Sequence, residues 1–240
     1  MSNSKTNDTE DSREWRQAAE WIEHELGGRV VGARRQARWR PAWFFDLERP
    51  DGSTIPLYFR GDRGHGDAER VADVLLHEAS IHYVLEAHGL PIPHVHGLCP
   101  EPRGLVLDRM PGEFNLGTVD DPVRRARILD DYMSHMVDMH AIPASEFEAR
   151  GLERRSDPRS LALGDFDQWV QNYQKAKRGP EPMLEFAIRW VLSNVPEGRS
   201  ETTFVQADSG QFLFEGDRVT TLLDMETGYL GDPLADLGGL

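Results

Sequence analysis

The chain has one cysteine, Cys99, so it offers neither a disulfide framework nor a thiolate metal cluster. It has only three lysines, Lys5, Lys175 and Lys177. Between residues 6 and 174 no lysine is available for a Schiff base or a phosphate contact. Any such cation there must be arginine, which grips phosphate with a planar fork but does not act as a base near neutral pH. No run approaches the roughly 18–20 apolar residues of a membrane span, and the opening MSNSKTNDTED lacks the apolar centre of a signal peptide. The cytoplasm is the expected location. Basic residues are scarce overall: 27 Lys and Arg face 41 Asp and Glu, a formal net charge of −14. That balance disfavours general binding to a nucleic-acid backbone, which needs clustered Lys and Arg, and suits a cationic small-molecule partner. Against these shortages stand 240 residues with 39% hydrophobic side chains. This is enough for a core, and the length sits near the ~250 residues at which single cores usually divide.

Residues 1–10 are polar and without periodicity, which predicts a mobile tail. Trp15, Ala18, Ala19, Ile22 and Leu26 then share one face of a helix over 12–26, closed by Gly27-Gly28. Strand-like GRVVGAR, AWFFDLER and TIPLYFR follow, with Pro50-Asp51-Gly52 turning between the last two. A long helix over 67–87 ends at Gly89, and the proline-bearing LPIPHVHG leads to a strand GLVLDRM, stopped by Pro111-Gly112. The character then becomes mainly helical. PVRRARILDDYMSHMVDMHAI places Leu129, Met133, Met136 and His140 on one face, and helices are expected around 166–176 and 183–194. The chain returns to strands in TTFVQA, QFLFE and RVTTLLDM, the last two joined by Gly216-Asp217. The pattern predicts an α+β protein of two lobes, 11–110 β-rich with one long helix and 111–240 mainly helical, hinged near 110–112.

Glu78 lies within the apolar stripe Val71, Val74, Leu75, Ile81, Leu85 of its helix. A carboxylate on a buried face is costly unless a cation pairs with it, and the strand ending YFRGDR offers Arg60 or Arg63. A strand cation paired to a helix glutamate is how protein kinases position nucleotide phosphates. Near the C-terminus, Asp208 follows one strand and Asp224 ends another, with Gln211 between them. Two acids delivered by short strands suit one general base and one magnesium site. Asp224, Glu226 and the Gln211 side-chain oxygen would suffice for a metal that keeps several waters. His88, His94 and His96 with Cys99 lack a carboxylate or second cysteine at ligand spacing. His140 reads as a satisfied core histidine. No GxSxG is present, so nucleophilic hydrolase chemistry has little support.

VQADSGQFLF followed by VTTLLDMETGYLGDPLADL resembles the aminoglycoside phosphotransferase and choline kinase-like family, which reads HGD, a short loop, N, then a strand pair ending in IDWE and GDPxxDLA. LPIPHVHGLC, GLVLDRMPGE, VDMHAI and RWVLSNVP are similar to its other segments, so the likeness covers about 30–240. It implies a bilobal protein-kinase-like fold and transfer of the γ-phosphate of ATP or GTP, with Mg2+, to a small-molecule hydroxyl. By the same resemblance Asp208 is the catalytic base, Gln211, Asp224 and Glu226 are the metal ligands, and Asp232 and Asp236 hold structure together. Arg60 replaces the nucleotide-anchoring lysine with Glu78 as its partner. Met110 sits at the hinge, and Arg38 with Arg40 lies in the turn over the phosphates. The departures are Gln206 and Ala207 where the family has His and Gly, and an Asp208–Gln211 spacing of three where the kinase catalytic loop has five. The sequence also stops at GDPLADLGGL, where the resembled enzymes continue with further helices, which predicts an incomplete helical lobe. These departures leave open a catalytically impaired, nucleotide-binding interaction protein.

Overall fold

The computed structural model describes residues 4–38, 40–62, 68–155 and 157–238. They form two compact units, Met1–His135 with Gln211–Glu226, and Met136–Gly210 with Thr227–Leu240. The boundary expected near Met110–Gly112 therefore falls inside the first unit, and the hairpin 211–226 belongs with it.

The first unit is built on a five-stranded antiparallel sheet ordered β1-β2-β3-β5-β4. Its strands are β1 (Arg29–Arg35), β2 (Ala42–Glu48), β3 (Thr54–Gly61), β4 (Val95–Pro100) and β5 (Arg103–Asp108). Successive side chains on a strand point to opposite faces, and that alternation sorts this sheet. Trp43, Phe45 and Leu47 of β2, Leu57 and Phe59 of β3, and Val106 of β5 pack with Ala18, Ala19 and Ile22 of helix α1 (Ser4–Leu26). The other face carries Leu105 and Leu107 with Tyr58, packed with Leu75 and Ala79 of helix α2 (Ala68–Ala87). Arg60 is two residues beyond Tyr58, so it is delivered to the α2 face.

Three details differ from the sequence reading. Helix α1 begins at Ser4 rather than Ser12, since SKTNDTED contains no Pro or Gly to stop it. β4 is a strand inside what reads as a proline-bearing connector. Its edge position tolerates Pro100, and its pairing with β5 shifts at Gly97. Helix α3 (Pro122–Ala141) buries Ile128, Tyr132, Met136 and Met139, while Leu129 is exposed. The apolar face is thus turned by about one residue from the expected one, because Tyr132 stacks on Phe212 at 4.8 Å.

The hairpin of β7 (Phe212–Glu215) and β8 (Arg218–Leu222) turns at Gly216-Asp217 as its sequence predicts. It is fastened to the rest of the first unit by the Glu113–Phe214 bridge and by Leu222 N–H donating to Pro91 O at 2.7 Å. Gly112 makes the close approach possible: at φ +133° a Cβ there would lie 2.8 Å from Leu213 Cβ.

The second unit holds the end of α3 and helices α4 (Ala144–Glu148), α5 (Pro158–Leu163), α6 (Phe166–Ala176), α7 (Pro182–Ser193) and α8 (Leu234–Gly238). Two short strands, β6 (Thr203–Val205) and β9 (Tyr229–Gly231), pair antiparallel. Phe147 stacks on Phe204 at 4.7 Å to form its centre. Among the described residues no helix is long and apolar enough to cross a membrane.

Candidate functional site

Glu78 is 1% exposed on the apolar face of α2, where an unpaired carboxylate would be expensive. Arg60, from the neighbouring strand face, donates to its Oε1 through Nη1. Arg63, the other cation weighed for this role, lies outside the described residues, as does the side chain of Val71. The second fork nitrogen of Arg60, Nη2, donates to Asp224 Oδ1 at 2.8 Å and lies 3.0 Å from Glu226 Oε2. One buried guanidinium thus bridges three carboxylates, the planar two-pronged recognition that lysine could not provide. Burial, with the nearby Arg40 cation, pulls Arg60 below its ordinary pKa, and Glu226 and Asp224 oppose that shift. Asp224 itself has φ +60°, a left-handed conformation uncommon outside glycine that here aims its carboxylate at Arg60.

Arg38, Arg60, Glu78, Met110, Gln211 and Asp224 line one cavity of about 410 Å3 within the first unit. Sequence reasoning missed Phe44, Tyr58 and His82 in the same wall. The rings of Phe44 and Tyr58 lie 5.4 Å apart, tilted by 39° to each other, and give an apolar surface on Arg60's side of the sheet. Strand alternation was the signal that would have found them. His82 is buried, with Nδ1 2.9 Å from Pro93 O, so Nδ1 carries the proton and donates. Burial pushes its pKa down to about 4.

Two expected positions serve other ends. The Glu226 side chain is 9% exposed, and both its oxygens accept from Arg40 Nη2, at 2.9 and 3.0 Å. Glu226 is thus held by the guanidiniums of Arg40 and Arg60. Arg40, expected beside Arg38 over the phosphates, is buried on Glu226, whereas Arg38 is exposed at the cavity. For a magnesium ion the fit is therefore partial: Asp224 and Gln211 present hard oxygen donors to the cavity, and Glu226 does not.

Asp208 belongs to the second unit and is exposed. Its loop is organised by the fully buried Asp236, which accepts from the N–H groups of Gln206 and Ala207 at 3.0 and 2.9 Å and from Ser209 Oγ at 2.8 Å. His140 Nε2 lies 2.9 Å from Asp236 Oδ2, the oxygen that also accepts from Gln206 N–H, so this histidine is a satisfied one. Burial alone would raise Asp236; His140 and the loop donors outweigh it and hold the carboxyl below its ordinary range. Ala207 takes φ +69°, where the resembled motif has glycine. Asp232 is likewise structural, paired with Arg199 and accepting from Leu234 N–H at 3.0 Å.

The histidines near Cys99 are paired singly, His94 with Glu86 and His96 with Asp108, each at 2.7 Å. Among the described residues no three His, Cys, Asp or Glu side chains are grouped to hold a metal.

A putative aminoglycoside phosphotransferase from Ralstonia eutropha JMP134 superposes with a TM-score of 0.68 at 17% identity, covering 93% of this chain and 68% of that one. A thermostable mutant of aminoglycoside phosphotransferase APH(4)-Ia, in ternary complex with ADP and hygromycin B, gives 0.67 at 16% identity, covering 93% and 75%. The fold is therefore that of protein-kinase-like phosphotransferases. Acyl-CoA dehydrogenase family member 11 of Rattus norvegicus is 22% identical over 206 residues, 80% of this chain, and the match spans 24% of that protein's length. Residues 57–240 match the phosphotransferase enzyme family APH, more than three quarters of the sequence, and the chain belongs to that family.

Proposed function

We propose that this chain transfers the γ-phosphate of ATP or GTP, with magnesium, to the hydroxyl of a small molecule. The observation that carries the reading is Arg60, buried on the wall of a cavity and holding Glu78 of α2 and Asp224 of the hairpin at once. Such transfer has little covalent work for the protein to do, so rate comes from positioning and charge. Arg60 and Arg38 would meet the phosphate oxygens, while Phe44, Tyr58 and Met110 offer an apolar wall for the base. Magnesium held by Asp224 and Gln211 would neutralise charge on the phosphates. Asp208 would accept the proton of the acceptor hydroxyl, and Asp236 would hold the loop that presents it. The solved relative with ADP and hygromycin B supports a nucleotide and a small-molecule acceptor. The excess of acid over base suits a cationic acceptor.

A second reading, nucleotide binding without transfer, is favoured by the three-residue spacing of Asp208 and Gln211. The two separate by experiment. Incubation with γ-labelled ATP or GTP and a panel of hydroxyl-bearing acceptors is expected to give a labelled product or slow nucleotide hydrolysis. Asp208→Asn should lower that rate by about 10²–10⁴-fold, the range of general-base catalysis. Nucleotide binding with no Asp208-dependent turnover would favour the binding protein.

A further inference from the structure

Helix α7 has twelve residues, eight of them Met, Leu, Phe, Ala, Ile, Trp or Val, yet it buries none of them fully. A surface helix ordinarily turns its apolar stripe to the core and its polar face to water. Here the order is reversed. Glu185, Ile188 and Leu192 share the half-buried side, where Glu185 Oε1 accepts from Lys177 Nζ at 3.1 Å and from Tyr173 OH at 3.3 Å. The opposite side presents Met183, Phe186 and Trp190, exposed by 80%, 59% and 58%, with the exposed Ala187 between them and Leu184 at the edge. Aromatic side chains carry about 150–250 Å2 each and aliphatic ones somewhat less, so this face offers on the order of 500 Å2 of apolar surface. Single exposed apolar side chains are ordinary, whereas a contiguous face of that size marks a contact.

We propose that α7 is the contact between two copies of this chain, packed antiparallel about a two-fold axis. Such an interface must be self-complementary, since the same patch serves both sides. Met183, Phe186, Ala187 and Trp190 follow the three-and-four spacing of a helix-pairing seam. Centred between Phe186 and Ala187, an antiparallel pair sets Met183 over the partner's Trp190 and Phe186 over the partner's Ala187, large against small. The charges at the ends agree with that direction: Glu181 precedes the helix and the exposed Arg189 lies towards its end, so the pair brings acid to base twice. Two such faces bury on the order of 1,000 Å2 in total, the lower bound of a specific interface, which makes the dimer reversible with Kd on the order of 10 µM. A membrane surface suits this helix less. Helices that lie on membranes carry Lys and Arg on the polar face, whereas α7 has one Arg against one Glu in a chain of net charge −14.

The test is sedimentation velocity on the full chain from about 1 to about 200 µM, a range over which mass action carries a weak dimer through its transition. The wild type should pass from monomer to dimer and stop there. Phe186→Glu and Trp190→Glu should each weaken the dimer at least tenfold. Val137→Glu, at a side chain 65% exposed on α3, should leave it unchanged. Circular dichroism checks that each variant is folded. Should the variants not fold, hydrogen–deuterium exchange on the wild type decides instead, with protection of 182–193 rising with concentration. A monomer at every concentration, or a dimer indifferent to both α7 variants, would overturn the inference. So would association without a plateau at two copies, or protection of α7 only by vesicles of phosphatidylserine and phosphatidylcholine.

Discussion

His82 gives the most quantitative prediction, because its environment converts directly into a pH dependence. The imidazole is buried on the wall of the cavity, and Nδ1–H donates to Pro93 O at 2.9 Å. Burial holds its pKa at about 4 in the folded chain, against 6.5 in an unfolded one. The folded value is the lower, so above pH 6.5 neither state is protonated at this group and it adds no pH dependence. Below 6.5 the unfolded chain takes up a proton that the folded chain refuses, and stability falls. The loss grows until the pH reaches the folded value, about 4. With about 1.4 kcal/mol per unit, the cost accumulated by pH 4 is about 3 kcal/mol. Urea unfolding of the wild type and of His82→Gln at pH 7.5, 6, 5 and 4 measures it. Glutamine can still donate to Pro93 O but does not titrate. The stability difference between the two proteins should shift by about 3 kcal/mol in favour of the variant between pH 7.5 and 4. Parallel pH profiles would refute the assignment of a buried neutral imidazole.

Three further outcomes follow from the same reasoning. Ala207→Gly should stabilise the chain by about 0.5–1 kcal/mol, since relief of the left-handed strain exceeds the extra entropy of an unfolded glycine; the urea midpoint should rise at unchanged slope. Asp236→Asn removes the charge that four donors share and should cost about 3 kcal/mol. In a variant that stays folded, turnover should fall while nucleotide affinity holds, which initial-rate and binding measurements separate. Gly112→Ala should destabilise the first unit by about 1–3 kcal/mol through the close contact with Leu213, seen as a lower unfolding midpoint.

The parts of this protein that the sequence made legible are those set by local periodicity and by the cost of burying charge. Glu78 within an apolar stripe required a cation, and a strand ending in Arg60 supplied it. The Gly216-Asp217 turn announced the hairpin and so the position of Asp224. What escaped was set by tertiary choice. The face of α3 is ambiguous from spacing alone, because Leu129-Met133 and Ile128-Tyr132 both satisfy helical periodicity, and the stack on Phe212 decides between them. Prolines hid β4, since a sheet edge accepts what an interior strand rejects. The pairing of Arg40 with Glu226 spans 186 positions and no local rule selects it, so Glu226 read as a metal ligand. The hairpin 211–226 read as part of the later half of the chain because sequence order conceals that it bonds to Pro91 and Glu113.

Nucleotide binding by the folded chain tests the central claim most directly. At a nucleotide concentration about 100 times Kd, stabilisation is about 2.7 kcal/mol, equivalent to about 5–10 °C in Tm for a chain of this size. The account predicts a shift of that order with magnesium and ATP or GTP, most of it lost in Asp224→Ala and in Arg60→Met. No shift with either nucleotide at millimolar concentration, or the same shift in both variants as in the wild type, would contradict it.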